Sequence, residues 1–191
     1  MQHPASVALM VLTVALVATL AYSVAVNVLF RAERGPSFEE AYTLLSALKS
    51  GRASLPFNVE IFCEEILNVT LLIDGDAYSF NASKVYVIFK ASSAPRLEGK
   101  ELTLWRVWGN TTHAGVVSLI EVEDDGLNLS LRFASFSGRT ETRVIRLGSE
   151  KLVLNRVANG GAVFVNGVEV YSWKGYRNLY VYRVEVIADK K

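Results

Sequence analysis

The first 30 residues of the chain contain no Asp, Glu, Lys or Arg, and the first charged side chain is Arg31. From Ala5 to Phe30 the run reads ASVALMVLTVALVATLAYSVAVNVLF. As a helix it extends about 39 Å, enough to cross a hydrocarbon core of about 30 Å with some tilt. Its polar members are Ser6, Thr13, Thr19, Ser23 and Asn27. The serine and threonine hydroxyls can bond back to the preceding turn, so they cost little in lipid. Tyr22 stands toward one end, where an interface would hold it. A run apolar on every face is hard to bury inside a domain this small. The expectation is a retained transmembrane helix over residues 1–30. A cleaved signal peptide ending near Ser23-Val24-Ala25 is the alternative, but Met1-Gln2-His3 offers no basic n-region.

All 20 basic and 19 acidic residues lie beyond this run, with a formal net charge of +1. The remainder is the size of one ordinary domain. Its charges are interspersed, with no basic stripe, which argues against nucleic acid as a partner. Arg31 and Arg34 flank the apolar run, and by the positive-inside rule they would leave the domain in the cytoplasm. Four glycosylation sequons argue the other way, at Asn68, Asn81, Asn110 and Asn128. Asn68 and Asn128 alternate with leucine and valine, as solvent-facing strand residues do. The bulk of the chain is therefore expected outside the cytoplasm, on a single-pass anchor.

Gly35-Pro36 breaks the first helix. Residues 31–55 then read as a linker and an amphipathic helix. Ser37 and Glu40 fit a capping box, and Phe38, Ala41, Tyr42, Leu45 and Leu48 form an apolar stripe. Lys49 suits the C-terminal dipole and Gly51 a left-handed cap.

From Pro56 the pattern changes to short alternating runs, rich in Val, Leu and aromatics, with turn residues between them. Twelve strands are predicted over residues 56–191. Asp74-Gly75 and Asn166-Gly167 carry the signature of tight hairpins, and Asp125-Gly126 and Asn159-Gly160-Gly161 are read similarly. The 166–167 turn should pair Val165 with Val168 and Val163 with Val170 on a core face. In the last strand Tyr180, Tyr182, Val184 and Val186 share a face opposite Arg183 and Glu185. Residues 92–100, with Pro95 and Gly99, read as the loop between two halves. The predicted fold is mainly β: a transmembrane helix, a short amphipathic helix and an extracytoplasmic antiparallel β-sandwich, with a barrel as the alternative.

Catalytic and metal chemistry find little support. Cys63 is alone, so no intrachain disulfide forms, and Ile61-Phe62-Cys63 reads as a buried strand. The histidines are His3 and His113, with no cluster of Cys and His for a zinc site; a Ser-His-Asp arrangement would need His113, and no nucleophile-elbow sequence exists. Asp74-Gly75-Asp76 opens like a calcium loop, but its twelfth position is Val85. Glu64-Glu65 and Asp124-Asp125 are neighbours on strands and should point apart, unsuited to paired acid–base work. No catalytic, cofactor or metal site is expected. Trp105, Trp108 and Trp173 are the candidate binding surface, because an exposed indole stacks on a sugar or buries in an interface.

The order of parts resembles archaeal type IV pilin-like and archaellum stator-like envelope proteins. The matching pieces are Ala5–Phe30, Phe38–Ser50 and the β-rich remainder with its sequons. The resemblance is one of architecture. Met1-Gln2-His3-Pro4 lacks the basic residue and glycine that prepilin processing uses. It implies a non-enzymatic structural or interaction protein of the cell envelope, glycosylated and bound to the membrane through residues 5–30. Its expected partners are its own copies or an envelope protein. A surface-tethered carbohydrate- or ligand-binding module is the alternative.

Overall fold

The computed structural model describes residues 13–24, 36–91 and 102–189. The chain divides into two compact units, Met1–Gly35 and Pro36–Lys191. In the first, residues 13–24 form helix α1, with every residue exposed. Thr19 Oγ1 donates to Ala15 O at 2.8 Å and Ser23 Oγ to Leu20 O at 2.9 Å. Among the described residues no helix is long and apolar enough to cross a membrane. The described part of α1 is about 18 Å long and does not by itself establish the expected transmembrane helix. The rest of that span, 5–12 and 25–30, lies outside the described residues. So do Arg31, Arg34 and the loop expected over 92–100.

The second unit is mainly β. Helix α2 (Glu40–Lys49) opens it. Glu39 is the N-cap and no side chain caps it, so the expected Ser37–Glu40 capping box does not form. Short-range bonds start the helix instead, from Glu40 N to Ser37 O and from Ala41 N to Phe38 O. Its buried stripe is Ala41, Leu44 and Leu48. Tyr42, predicted on that stripe, is exposed and meets Phe38 edge-on at 5.7 Å. Gly51 does supply the left-handed cap, its N–H reaching Leu48 O at 2.9 Å.

The nine described strands are β1 (Arg52–Ile73), β2 (Asp76–Lys90), β3 (Trp105–Gly109), β4 (His113–Ser118), β5 (Ile120–Asp124), β6 (Asn128–Ser135), β7 (Arg139–Leu147), β8 (Lys151–Val165) and β9 (Val168–Ala188). They form one sheet in the order β3-β4-β2-β1-β7-β9-β6-β5, with β8 bridging β1 and β9. The expected antiparallel sandwich of two separate sheets is therefore replaced by one continuous sheet, and β6 pairs with β9 in parallel. The segment before β3 bonds to the other end of the path, through Leu119 N to Leu104 O (2.8 Å) and Val122 N to Leu102 O (3.3 Å). These bonds bring the sheet's ends together around a first core, in the manner of a barrel.

That core takes Leu44 and Leu48 of α2, Val59 and Ile61 of β1, Val85 and Val87 of β2, Trp105 of β3, and Val184 and Val186 of β9. A second core gathers Leu67, Val69, Leu71 and Ile73 of β1, Leu129, Leu131 and Phe133 of β6, and Trp173, Leu179 and Val181 of β9. Side chains alternate along a strand, so neighbours face opposite ways. Phe133 belongs to the second core and Ala134 to the first, which puts the cores on opposite faces of the shared strands. In β1 odd positions are buried in both halves. A bulge reconciles this: Cys63 pairs with Val85, Glu65 with Lys84, and Glu64 is the extra residue that reverses the inward face. Ser118 Oγ stabilises the irregularity, accepting from Val85 N at 2.8 Å and donating to Ser83 O at 2.9 Å.

The hairpins at Asp74-Gly75 and Asn166-Gly167 form as expected, both pairs with positive φ. Two other expectations fail. The expected Val165–Val168 pairing forms, but a register shift between Val163 and Phe164 pairs Val163 with Tyr171 instead of Val170, and Val168 is exposed, not on a core face. Asn159-Gly160-Gly161 lies inside β8 and is a bulge, not a turn.

Candidate binding site at the barrel mouth

The three tryptophans do not form one surface. Trp105 is buried in the first core and Trp173 in the second. Trp108, half-buried, packs edge-on against Tyr86 at 5.3 Å on the outer face of β3, opposite Trp105 as alternation requires. Of the sequons, Asn68, Asn81 and Asn110 are exposed. Asn128 is half-buried: Nδ2 donates to Asp125 Oδ2 at 2.9 Å, and Oδ1 accepts from Asn178 Nδ2 at 3.2 Å.

The neighbouring carboxylates have structural partners. Glu64 and Glu65, expected to point apart, both reach Lys84 Nζ, at 3.5 and 3.7 Å, because the bulge turns them together. Asp124 accepts from Tyr171 Oη at 2.7 Å and Arg177 Nε at 2.8 Å. Burial works against its charge, but those two bonds and the Gly126 amide hold its pKa below the ordinary value. Asp125 accepts from the side chain and amide of Asn128 and the amide of Leu127, which lower it to about 2. His113 opens β4, half-buried, with Nδ1 at 2.8 Å from Thr112 Oγ1. Cys63 is half-buried at the bulge. Among the described residues no three His, Cys, Asp or Glu side chains are grouped to hold a metal.

The arrangement with most chemical potential lies elsewhere. A cleft of about 450 Å³ opens between the C-terminal end of α2, the segment entering β3, and β5, β6 and β9. Arg132 projects from β6 into it. Its Nη1 lies 3.2 Å from Glu121 Oε2 and 3.1 Å from Glu123 Oε2, and its Nε 3.1 Å from Glu150 Oε1. Burial opposes the charge of Arg132, but the Glu123 bond and the charges of Glu150 and Glu121 outweigh it and raise its pKa. Trp105 lines the same cleft, and its Nε1 is buried without a hydrogen-bond partner. An indole N–H can only donate, so the group lacks an acceptor, a deficit of about 1–3 kcal/mol.

The parallel β6–β9 register extends this site outward. It places Arg132 beside Tyr182, Ser130 beside Tyr180 and Asn128 beside Asn178. The next row inward, Ala134 and Val184, is already first core. The barrel's inner face thus continues through its mouth as a polar and aromatic platform. The Arg132 guanidinium sits 5.7 Å from the Tyr182 ring centre. Tyr180 and Tyr182 stand 6.3 Å apart with planes 15° from parallel. On their other flank β8 presents Leu152 and Asn155, both exposed. Alternation in the sequence puts both tyrosines on one face; nothing in it joins them to Arg132, because a parallel pairing leaves no hairpin signal. Compared with protein-family models, curated proteins and solved structures, the chain matches none.

Proposed function

We propose that this is a membrane-anchored, extracytoplasmic structural or interaction protein of the cell envelope, a non-enzymatic pilin-like subunit or accessory. The observation that carries the reading is the character of α1. Val14, Leu16, Val17, Leu20, Tyr22 and Val24 are all more than half exposed, so the helix presents apolar surface on every side. Such a helix in water is an association hazard, and lipid or sister helices are its natural surroundings. The Thr19 and Ser23 hydroxyls are bonded within their own turn, which suits a medium without water. Exposed sequon asparagines at 68, 81 and 110 fit a domain on the outer side. Self-association or an envelope protein would supply the partner.

The test is extraction of the native protein, with intact mass and N-terminal sequencing. The expected result is a chain resistant to alkaline carbonate, starting near Met1 and heavier by glycan mass. A chain released by carbonate, or one beginning near Val26, refutes the anchor.

A further inference from the structure

We propose that the barrel-mouth cleft and the Tyr180–Tyr182 platform together bind a neutral oligosaccharide. The inference does not depend on membrane anchoring.

Charge narrows the ligand first. The cleft is lined by Lys49, Arg132, Glu121 and Glu150, and Glu123 adds a third carboxylate on Arg132, so charges of both signs are mixed there and no strong field of either sign selects an ion. Arg132 is engaged by three carboxylates and is not free to grip a phosphate or carboxylate. An anionic ligand would meet those same carboxylates, and a cationic one would meet Arg132 and Lys49.

Hydrogen bonding narrows it further. The glutamates keep unused lone pairs and need donors, while Trp105 Nε1 needs an acceptor. A hydroxyl group is both, so a polyhydroxylated ligand can satisfy the two demands at once. Ser130 and Asn155, flanking the tyrosines, add donors and acceptors of the same neutral kind.

Shape supplies the third argument. About 450 Å³ falls within the range of small-molecule sites. The electron-rich faces of two near-parallel rings suit the C–H face of a pyranose. Arg132 stands over Tyr182 from the neighbouring strand, and Tyr180 follows two residues further along β9, away from the first core, so the surface extends out of the cleft. A chain of sugars with one end in the cleft and the next units over Tyr182 and Tyr180 uses every part of it.

The test uses the full chain in a detergent without a sugar headgroup. Maltohexaose, cellohexaose, chitohexaose and mannohexaose are titrated by calorimetry, with trigalacturonate and spermine as charged probes. Saturable binding of at least one neutral probe is expected, and neither charged probe should bind more tightly. Tyr182→Ala should weaken the affinity roughly tenfold. Trp105→Phe, which deletes the N–H and keeps an aromatic ring, should weaken it roughly fivefold. Trp108→Phe, on the outer face, should leave it unchanged. If Tyr182→Ala loses its near-ultraviolet dichroism, Glu150→Gln at the cleft rim takes its place, with a several-fold loss expected. The proposal is overturned if no neutral probe saturates, if the charged probes alone bind, or if affinity survives these changes.

Discussion

Gly161 tests the packing logic of the second core most directly. A Cβ built there would stand 2.4 Å from the Leu72 carbonyl oxygen and 2.6 and 2.8 Å from Trp173 Cη2 and Cζ2. Neither neighbour can yield cheaply. Leu72 is held in the β1–β8 ladder beside Ala162, and Trp173 is only 6 % exposed. Gly161→Ala must therefore displace a buried indole by about 1 Å in a close-packed interior, at a cost of about 2–3 kcal/mol. For a unit of this size that is a fall in unfolding temperature of roughly 5–10 °C. Trp173→Phe removes the indole atoms that collide, though not the Leu72 carbonyl, and leaves a void, costing about 1–2 kcal/mol alone. The two changes should compensate, so that the double variant recovers at least about 1 kcal/mol against additivity. Gly167→Ala is the control: its φ is +81° with open space around it, so it reports backbone strain alone, about 1 kcal/mol. Scanning calorimetry of the four variants decides the matter. A Gly161→Ala protein melting within about 1 °C of the parent would refute the close approach as the reason for glycine here, and an additive double variant would refute the indole's share in it.

Other outcomes follow from the same geometry. Trp173 should be shielded from acrylamide quenching and Trp108 open to it, so Trp108→Phe should lower the quencher-accessible fraction and Trp173→Phe should not; the reverse would contradict the burial assignments. Asp125 titrates near 2 in the folded chain, below its ordinary 3.8. Its contribution to stability is therefore complete above about pH 4 and lost as the pH falls toward 2. Hydrogen exchange at the Leu127 and Asn128 amides should accelerate across that window, and Asp125→Ala should abolish the step. Glycopeptide mapping should find sugar on Asn68, Asn81 or Asn110 and none on Asn128, whose amide is tied to Asp125 and Asn178; occupancy at Asn128 would show that this network opens during synthesis.

Local chemistry by itself determined much of this protein. The absence of charge before Arg31, the mainly β character, the hairpins at Asp74-Gly75 and Asn166-Gly167, and the cap at Gly51 all rest on neighbouring residues, and a single sequence carries that information. So does the common face of Tyr180, Tyr182, Val184 and Val186. Tertiary structure decided the rest. Leu44 replaced Tyr42 on the buried stripe because the barrel core, not helical spacing, selects which side of α2 is covered. Asn159-Gly160-Gly161 resembles a turn, yet Gly161 is glycine because the Leu72 carbonyl and the Trp173 ring approach it from distant strands. The bulge at Glu64 reverses the inward face of β1 while the burial pattern stays on odd positions, so alternation alone cannot reveal two cores. The binding platform arises only when β6 and β9 pair in parallel. Two segments some 50 residues apart then bring Arg132 against Tyr182, a contact with no local signal, fixed by the way the whole sheet closes.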